Sequence, residues 1–326
     1  ENAMITTAIV HFNKENDQKI TKFLNLKESN YKKEDFSKLA EDVNKYSEIV
    51  FEPDQVFALT DKTTTKLNNK IDSTHPKLGD LLTIGSGMQT GANKVYSKDI
   101  FPTVFPKKYF KRHLTGISIK DYYIDMEKLN SILFVEKESS FESLPLSIQQ
   151  YLLDNKYILE NRADKKRRST AKWWTFTFSM HIDKYHLNKL WTSYRGTKNC
   201  FVFDDSSDYV GLTNTTVIFG DNPEINLKYV LGLLNSKLIN YRYKSIGKQT
   251  GSGVFEYFEN GIKKIPIPIG NSHIQQLVAS LVDEILCIKK RDPHQDIEKN
   301  KLEIDELVFD LYELTSDERR LVLNSC

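Results

Sequence analysis

The chain has 326 residues, of which 39% are hydrophobic and 28% charged, and its formal net charge is +2. No apolar run approaches the ~20 residues of a membrane-spanning helix, so the sequence predicts neither a transmembrane protein nor a membrane partner. Cys200, Cys287 and Cys326 are widely spaced and form no Cys-x-x-Cys pair, which excludes a disulfide scaffold and a zinc ribbon. We therefore expect a cytoplasmic globular protein of about two domains.

The small net charge hides an uneven distribution along the chain. Residues 161–200 hold ten basic and two acidic residues, a local balance of +8. Residues 271–326 hold seven basic and twelve acidic residues, a balance of −5. A basic patch confined to one region is typical of a surface that binds a polyanion. A charge run can equally be a solvated helix face, and composition alone leaves both interpretations open.

Three elements can be predicted in the first third of the sequence. Residues 5–12 (ITTAIVHF) are apolar and β-branched, which predicts a buried strand. Residues 35–48 (DFSKLAEDVNKYSE) carry apolar positions at helical spacing, which predicts a short amphipathic helix. In residues 84–96 (IGSGMQTGANKVY), three glycines lie between apolar flanks, which predicts a strand, a glycine-rich loop and a second strand.

The middle of the chain alternates between helical and extended patterns. Residues 144–161 (LPLSIQQYLLDNKYILEN) predict one helix. The aromatic run at 173–178 (WWTFTF) is typical of a strand, and residues 201–203 and 213–219 are further strand candidates. Residues 226–242 (NLKYVLGLLNSKLINYR) predict a single strong helix.

The C-terminal part predicts helices. Residues 265–269 (IPIPI) come first and predict an extended segment that proline keeps out of a central strand. Apolar residues then keep a helical spacing over 274–286 and again over 297–311, with a proline between the two runs. This pattern predicts an αα-hairpin. Thr315 followed by Glu318 resembles the capping box of one more short helix.

No pattern in the sequence predicts a catalytic or metal centre. His181 and His186 have a spacing that does not place two imidazoles on one helix face. The aspartates of DDSSD (204–208) predict a hairpin turn rather than a metal site. Ser86 lies between glycines but lacks the Gly-x-Ser-x-Gly elbow of a nucleophilic serine. The glycines of residues 84–96 also depart from the spacing of phosphate and dinucleotide loops.

A run of basic and aromatic residues at 163–176 (ADKKRRSTAKWWTF) is the strongest candidate site. Lysine and arginine neutralise phosphates, and a guanidinium can also read guanine edges. The indoles can stack on an unstacked base or lie in the core, and both alternatives stay open. The candidate residues here are Lys165, Lys166, Arg167, Arg168, Lys172, Trp173, Trp174 and, further along the chain, Arg195. A second run, at 241–249, repeats the basic and aromatic chemistry.

Four separated blocks together resemble a known family. They are IGSGMQTGANKVY (84–96), VLGLLNSKLINYRYKSIGKQTGSG (230–253), FEYFENGIKKIPIP (255–268) and KLEIDELVFDLYELTSDE (301–318). In this order they resemble the TaqI-like C-terminal specificity domain, which is the target-recognition part of DNA adenine methyltransferases and of fused type IIG restriction–modification enzymes. The opening residues 1–14 resemble the last strand of the catalytic domain in the same proteins.

The resemblance implies that the catalytic machinery lies elsewhere. Such enzymes carry a glycine-rich S-adenosylmethionine loop and an Asn-Pro-Pro-Tyr or Asp-Pro-Pro-Tyr tetrapeptide, and neither occurs here. We therefore expect a non-catalytic C-terminal fragment in which Met4 is an internal residue. We expect no cofactor in this fragment and S-adenosylmethionine in the parent enzyme, with double-stranded DNA and the catalytic methyltransferase domain of the same chain as partners.

The resemblance also adds two weaker groups of candidate DNA contacts. The glycine-rich loop allows close approach and carries polar side chains for bases or phosphates. Its candidates are Gln89, Thr90 and Asn93. The second basic run contributes Lys244, Lys248 and Gln249.

Together these observations predict an α+β fold, a mixed-sheet DNA target-recognition domain with long C-terminal helices. Residues 1–75 are expected to hold the end of the methyltransferase domain and a connector, 76–270 the recognition domain, and 271–326 a helical spacer. The predicted function is sequence-specific DNA recognition for adenine methylation. The alternative is a protein-docking module that resembles a type I specificity subunit. An exposed apolar stripe on the second C-terminal helix (Ile304, Leu307, Val308, Leu311) would favour that alternative.

Overall fold

The structure is a computed structural model, and it describes residues 20–23, 38, 41–42, 46–50, 62–73, 75–163, 172–251, 253–270 and 272–325. The backbone divides into two compact units, Glu1–Thr74 and His75–Cys326. The strand predicted at 5–12 lies outside the described residues, as does most of the helix predicted at 35–48.

In the first unit, strands β1 (Ile20–Phe23) and β2 (Ser47–Val50) form an antiparallel pair. The end of the helix predicted at 35–48 is therefore wrong, because Ser47 and Glu48 belong to β2. The β-branched residues that follow them favour extended backbone. Helix α1 (Lys62–Ser73) buries Leu67 and Ile71, which lie one turn apart on the same face.

The second unit contains most of the described strands and helices. Its strands are β3 (Ile84–Ser86), β4 (Ser97–Lys98), β5 (Phe110–Leu114), β6 (Ile119–Lys120), β7 (Tyr123–Ile124), β8 (Asn130–Leu133), β9 (Lys189–Ser193), β10 (Arg195–Gly196), β11 (Phe201–Asp204), β12 (Tyr209–Gly211), β13 (Thr215–Phe219), β14 (Lys248–Gly251) and β15 (Val254–Glu256). Its helices are α2 (Leu78–Leu81), α3 (Asn93–Tyr96), α4 (Leu146–Asp154), α5 (Lys156–Glu160), α6 (Leu227–Leu234), α7 (Lys237–Ile246), α8 (Glu259–Ile262), α9 (Ser272–Arg291), α10 (Glu298–Leu311) and α11 (Ser316–Asn324).

A four-stranded sheet with the order β11-β9-β13-β3 is the centre of this unit. Each neighbouring pair in it is antiparallel. All five residues of β13 are buried, which matches the continuous β-branched run TTVIF of a strand that is covered on both faces. Trp191 of β9 is fully buried and donates its indole N–H to Asp204 of β11 at 2.9 Å. The strands predicted at 201–203 and 213–219 are confirmed as β11 and β13.

A second four-stranded sheet has the order β12-β5-β8-β4 and is mixed, because β12 runs parallel to β5 whereas the other pairs are antiparallel. Its core is aromatic. Tyr96 and Phe134 both pack edge-on against Phe176, with ring centroids 5.0 and 5.9 Å apart. A smaller sheet, β10-β15-β14, is antiparallel. Its hairpin turn includes Gly253 at φ +74°, a conformation that favours glycine.

The C-terminal helices are confirmed, and they pack against the helices that follow the central sheet. A Cβ at Gly232 of α6 would lie 2.6 Å from Cγ1 of Val278 in α9, so the two helices approach closely there. Asp305 of α10 accepts a hydrogen bond from the backbone N–H of Lys237, the first residue of α7, at 2.8 Å. The capping box of α11 is also present, with Thr315 and Glu318 bonded reciprocally. None of the helices in the described ranges has the length and apolar composition needed to span a bilayer.

The apolar stripe of α10 is not an exposed face. Ile304 and Val308 are buried, and Leu307 and Leu311 are half-buried. The stripe is used for packing within the unit. The protein-docking alternative therefore loses the observation that would have favoured it.

Two predicted helices are each divided in the structure. Residues 144–161 form α4 and α5, because the backbone of Asn155 leaves the helical conformation at ψ 7°. Residues 226–242 form α6 and the first part of α7. The side-chain oxygen of Asn235 accepts the backbone N–H of Phe201 in β11, and Ser236 caps the new helix. The helix predicted at 226–242 is therefore interrupted at Asn235, whose polar side chain is bonded to strand β11.

Two predicted strands are wrong. Residues 93–96 form helix α3, because the hydroxyl of Thr90 accepts the backbone N–H of Ala92 and so satisfies a donor at the start of the turn. The aromatic run at 173–178 forms turns and pairs with another backbone segment only at Phe178. With several sheets, including one of mixed direction, and long C-terminal helices, the α+β fold class is confirmed.

Candidate nucleic-acid interface

The register of the central sheet places two predicted sites at the same end. Ser86, the last residue of β3, and Thr192 of β9 both pair with Thr216 near the start of β13. The glycine-rich loop leaves β3 at this end, and Arg195 follows β9 at the same end. Only β13 separates these two strands, so their ends lie about 10 Å apart. We call this edge the loop end of the sheet.

The glycine-rich loop, residues 87–92, lies tightly against the sheet. A Cβ at Gly87 would lie 2.1 Å from the carbonyl oxygen of Leu212, and Gly91 has φ +69°. The backbone N–H and C=O of Gln89 each bond to Phe178 at 2.9 Å. Thr90 is fully buried, so in this arrangement its side chain offers no surface to a ligand, whereas Asn93 is exposed.

A buried arginine joins this loop to the basic segment. Arg162 is 3% exposed, and its guanidinium donates to four backbone carbonyl oxygens. The acceptors, at 2.7 to 2.9 Å, are those of Leu159, Thr90, Thr175 and Trp173. These bonds connect the end of α5, the glycine-rich loop and the chain that follows the basic segment. Four acceptors around one buried cation replace much of the solvation that it loses.

We call residues 164–171 the basic segment. The described residues on either side of it, Arg162 and Trp173, are bonded to each other, and Arg162 is also bonded to the glycine-rich loop. Lys165, Lys166, Arg167 and Arg168 themselves lie outside the described residues. At the end of the segment, Lys172 is exposed and donates to the carbonyl oxygen of Ser139 at 2.6 Å. Two of the three groups of candidate residues are thus joined by Arg162.

The two tryptophans after the basic segment pack into the core. Trp174 is 4% exposed and lies 6.0 Å from the ring of Phe141. Trp173 is half-buried, with Phe141 at 5.0 Å and the ammonium group of Lys156 at 5.3 Å from its ring. Of the two alternatives for the indoles, Trp174 follows the one in which the ring lies in the core, and its ring offers no surface to a base in this structure.

The third group lies across the small sheet β10-β15-β14. Arg195 and Lys248 both pair in register with Glu256 of β15. The Glu256 carboxylate lies 3.1 Å from the Lys248 ammonium and 3.3 Å from the Arg195 guanidinium. The hydrogen bonds from Lys248 and Arg195 hold the pKa of Glu256 below its ordinary value. The row carries two cations against one anion, and both cations are mostly exposed.

The remaining members of the third group differ in their surroundings. Gln249 is exposed on β14, next to Lys248. Lys244 is directed elsewhere, because its ammonium group donates to the carbonyl oxygen of Ser325 at the end of α11 at 2.9 Å. Lys248 and Gln249 therefore belong with Arg195, whereas Lys244 is bonded to the C-terminal helix.

The structure also shows why the +8 balance of residues 161–200 overstates the surface charge. Arg162 is buried, and Lys189 is fully buried beside Asp204, with the ammonium and carboxylate 3.4 Å apart. Burial lowers the pKa of Lys189, and Asp204 opposes that shift. Lys184 pairs with Asp221 at the opposite end of the central sheet. Composition could not distinguish these cations from exposed ones.

The described residues give no support to a metal centre. Among them, no group of three or more histidine, cysteine or acidic side chains is placed to hold a metal ion. Asp204 instead accepts the backbone N–H and the hydroxyl of Ser206, as expected of a hairpin turn.

A cavity of about 440 Å³ opens at the opposite end of the central sheet, beside Thr83 and Asp221.

One buried histidine lies in the second sheet, outside these groups. His113 of β5 is 8% exposed, and its Nδ1 lies 2.6 Å from the hydroxyl of Ser97. Its Nε2 has no hydrogen-bond partner among the described residues. Burial lowers the pKa of His113 to about 4. A neutral imidazole is therefore the form that this site accommodates.

The comparison with known families agrees with this architecture. Residues 111–267 match the model of the TaqI-like C-terminal specificity domain. Residues 111–267 are therefore similar to the specificity domains of this family. The match includes the basic segment and the Arg195–Glu256–Lys248 row. No curated protein sequence matches the chain.

One solved structure of similar fold is that of MmeI. The type IIL restriction–modification enzyme MmeI, solved in complex with DNA, is 14% identical, with a TM-score of 0.57. The alignment covers 77% of this chain and 37% of MmeI. The type IIG restriction endonuclease BpuSI is 15% identical over 77% of this chain and 32% of its own, with a TM-score of 0.45. The chain thus spans about a third of each of these enzymes.

Proposed function

We propose that this chain is the DNA target-recognition part of a restriction–modification enzyme and that the loop end of its central sheet faces the duplex. The observation that carries the proposal is convergence at that end. The glycine-rich loop is bonded through Arg162 to the base of the basic segment, and the Arg195–Glu256–Lys248 row follows β9 at the same edge. The family match over residues 111–267 supports a recognition role.

The groups at the loop end have different tasks in this proposal. The basic segment, Arg195 and Lys248 neutralise phosphates and so supply affinity that falls with salt. The exposed amide of Asn93 offers its N–H groups to a base edge, while its oxygen accepts the hydroxyl of Thr90. Gln89 carries the donor and acceptor pair that suits an adenine edge. Thr90 and Trp174 act indirectly, because their buried side chains fix the loop and the end of the basic segment.

The parent enzyme is, in this proposal, a cytoplasmic adenine-specific methyltransferase that uses S-adenosylmethionine, with or without a fused nuclease. The catalytic domain of the same chain would hold the cofactor and methylate the exocyclic nitrogen of a flipped adenine. The recognition part grips the duplex and orients that domain. The support is the resemblance to the target-recognition part of such enzymes.

Salt dependence of DNA binding tests the proposal. The double variant Arg167→Ala, Arg168→Ala in this chain should lower the affinity for duplex DNA and flatten the slope of log K against log salt by about 2. A matched control is Lys290→Ala, Arg291→Ala, which removes the same charge from exposed positions at the end of α9. An unchanged slope in the first variant, or equal effects in both, would show that the basic segment is not the interface.

A further inference from the structure

The turn between β12 and β13 lies in the middle of the loop end. It is closed by two buried residues, because the backbone N–H and the hydroxyl of Thr215 both donate to the carbonyl oxygen of Leu212, at 2.9 and 2.8 Å. The two residues between them, Thr213 and Asn214, are exposed. Asn214 thus comes immediately before β13, the strand that separates β3 from β9 in the central sheet.

The backbone around Asn214 is bonded to both neighbouring groups of the interface. Its carbonyl oxygen accepts the backbone N–H of Tyr194, at the start of the small sheet, at 2.8 Å. On the other side, the carbonyl oxygen of Thr215 accepts the backbone N–H of Gly87, the first residue of the glycine-rich loop, at 3.0 Å. Asn214 therefore lies between the glycine-rich loop and the Arg195–Glu256–Lys248 row.

A second turn, which follows β5, packs against the same backbone. A Cβ at Gly116 would lie 3.5 Å from the carbonyl oxygen of Asn214 and 2.5 Å from Oγ of Ser193. The hydroxyl of Ser193 in turn donates to the carbonyl oxygen of Arg195 at 3.0 Å. The exposed amide of Asn214 is thus carried by a backbone that is fixed from three directions, and a side chain on a fixed backbone loses less freedom when it binds.

The amide of Asn214 offers one chemistry that the bases can distinguish. Asparagine is common in turns because its side chain can bond to the nearby backbone, but here Thr215 and Leu212 make the bonds that close the turn. An asparagine amide presents a donor and an acceptor side by side. In the major groove adenine presents the matching pair, its N6 amino group and N7, whereas guanine presents two acceptors.

We propose that Asn214 recognises an adenine through the major groove of the bound duplex. The proposal rests on the proposed function, in which the loop end faces DNA, and it names a specificity-determining residue that sequence analysis missed. Arg195 and Lys248, both mostly exposed beside a single acid, supply phosphate contacts next to it. Phosphate contacts position the protein on the duplex, and contacts to base edges carry the sequence information.

The test uses the whole chain and a library of short duplexes with a randomised central segment. The unmodified chain should enrich sequences with adenine at one position that Asn214→Ala no longer distinguishes. Replacement of that A·T pair by G·C should weaken binding of the unmodified chain roughly five- to hundredfold, and Asn214→Ala should lose this difference. The salt slope should stay the same in Asn214→Ala, because an amide neutralises no phosphate.

Asn214→Asp separates base recognition from a role in the turn. Aspartate is similar in size and equally suited to turns, but its carboxylate only accepts hydrogen bonds. The preference at that position should therefore change from adenine towards cytosine, whose N4 amino group donates. A residue that only shapes the turn would leave the preferred base unchanged. Thr213→Ala is the matched control, because Thr213 is the other exposed residue of the same turn, and it should keep the complete sequence preference.

The possible failures are distinguishable. If both Asn214 variants enrich the same sequences as the unmodified chain, Asn214 does not recognise a base and DNA recognition by the loop end stands. A loss of preference at every position together, with a lower melting temperature, would overturn the proposal in favour of a structural role. If the unmodified chain enriches no sequence, sequence-specific recognition itself is wrong.

Discussion

The guanidinium of Arg162 donates to the carbonyl oxygen of Trp173 at 2.9 Å, and this bond closes the chain across the basic segment. The segment between them carries four cations whose mutual repulsion opposes a compact arrangement. A fifth cation, Arg162, is buried instead, and it donates to backbone carbonyl oxygens. Arg162 therefore holds together the two ends of a segment that, under the proposed function, must expose its charge to DNA.

Arg162→Ala should therefore lower the free energy of unfolding by about 3 kcal/mol, because several buried carbonyl oxygens lose their donor together. Arg162→Lys should restore only part of this, since an ammonium cannot reproduce the planar fork. Urea denaturation measures the change. Arg195→Ala is the comparison, because Arg195 is mostly exposed and its loss should cost less than about 1 kcal/mol. Similar costs for the two alanine variants would contradict the anchoring role.

The Arg195–Glu256–Lys248 row predicts that charge removal at the two ends of the central sheet has different effects on the salt dependence of DNA binding. Lys248→Ala should flatten the salt slope of DNA binding by about 1, because the proposed orientation makes Lys248 one phosphate contact at the loop end. Lys263→Ala should leave the slope unchanged. Lys263 is also paired with a glutamate, Glu259, but it lines the cavity at the opposite end. Filter binding over a salt series measures both slopes, and equal flattening would rule out the assigned orientation.

His113 predicts a pH dependence of stability. Burial lowers its folded pKa to about 4, whereas the ordinary value is 6.5. Between these pH values the unfolded chain binds the proton more readily than the folded chain does. The contribution of His113 to the free energy of unfolding is therefore fully present above pH 6.5 and is lost as the pH drops towards 4. The full loss approaches about 3 kcal/mol. Denaturation at pH 7 and pH 5 should show a smaller decrease in His113→Gln than in the unmodified chain. An identical decrease would mean that other groups dominate.

Gly232 predicts how tightly the C-terminal helices are joined to the unit. Gly232→Ala would place a methyl group 2.6 Å from Cγ1 of Val278, so the helices must separate. We expect a loss of about 1–3 kcal/mol in the free energy of unfolding despite the better helix propensity of alanine. Ser280→Ala, at an exposed position of α9, should change it by less than about 0.5 kcal/mol. A stabilised Gly232→Ala variant would show that the contact yields easily.

Local pattern predicted the parts of the fold that local physics determines. The apolar spacing of α9 and α10 and the Thr315–Glu318 capping box were predicted, since both depend on residues within a few positions of each other. The same holds for the buried strand β13.

The wrong predictions fall where a contact with a residue far away in sequence determines the local structure. The aromatic run at 173–178 has strand propensity. However, the carbonyl oxygens of Trp173 and Thr175 accept hydrogen bonds from Arg162 instead of a neighbouring strand, and the run forms turns. Asn235 interrupts a helical pattern because Phe201, on a strand far away in sequence, binds its side chain. Lys189 looks like surface charge until Asp204 is placed beside it. Apolar periodicity does not record such polar contacts.

The hydrogen bond from Arg162 to Trp173 has a consequence for how such a protein can diversify. It joins the described residues on either side of residues 164–171 directly. In general, doubling the length of a loop with fixed ends adds only about 0.6 kcal/mol of entropy cost. Under the proposed function, a different sequence in place of residues 164–171 would change DNA specificity while the sheets and helices stay as they are.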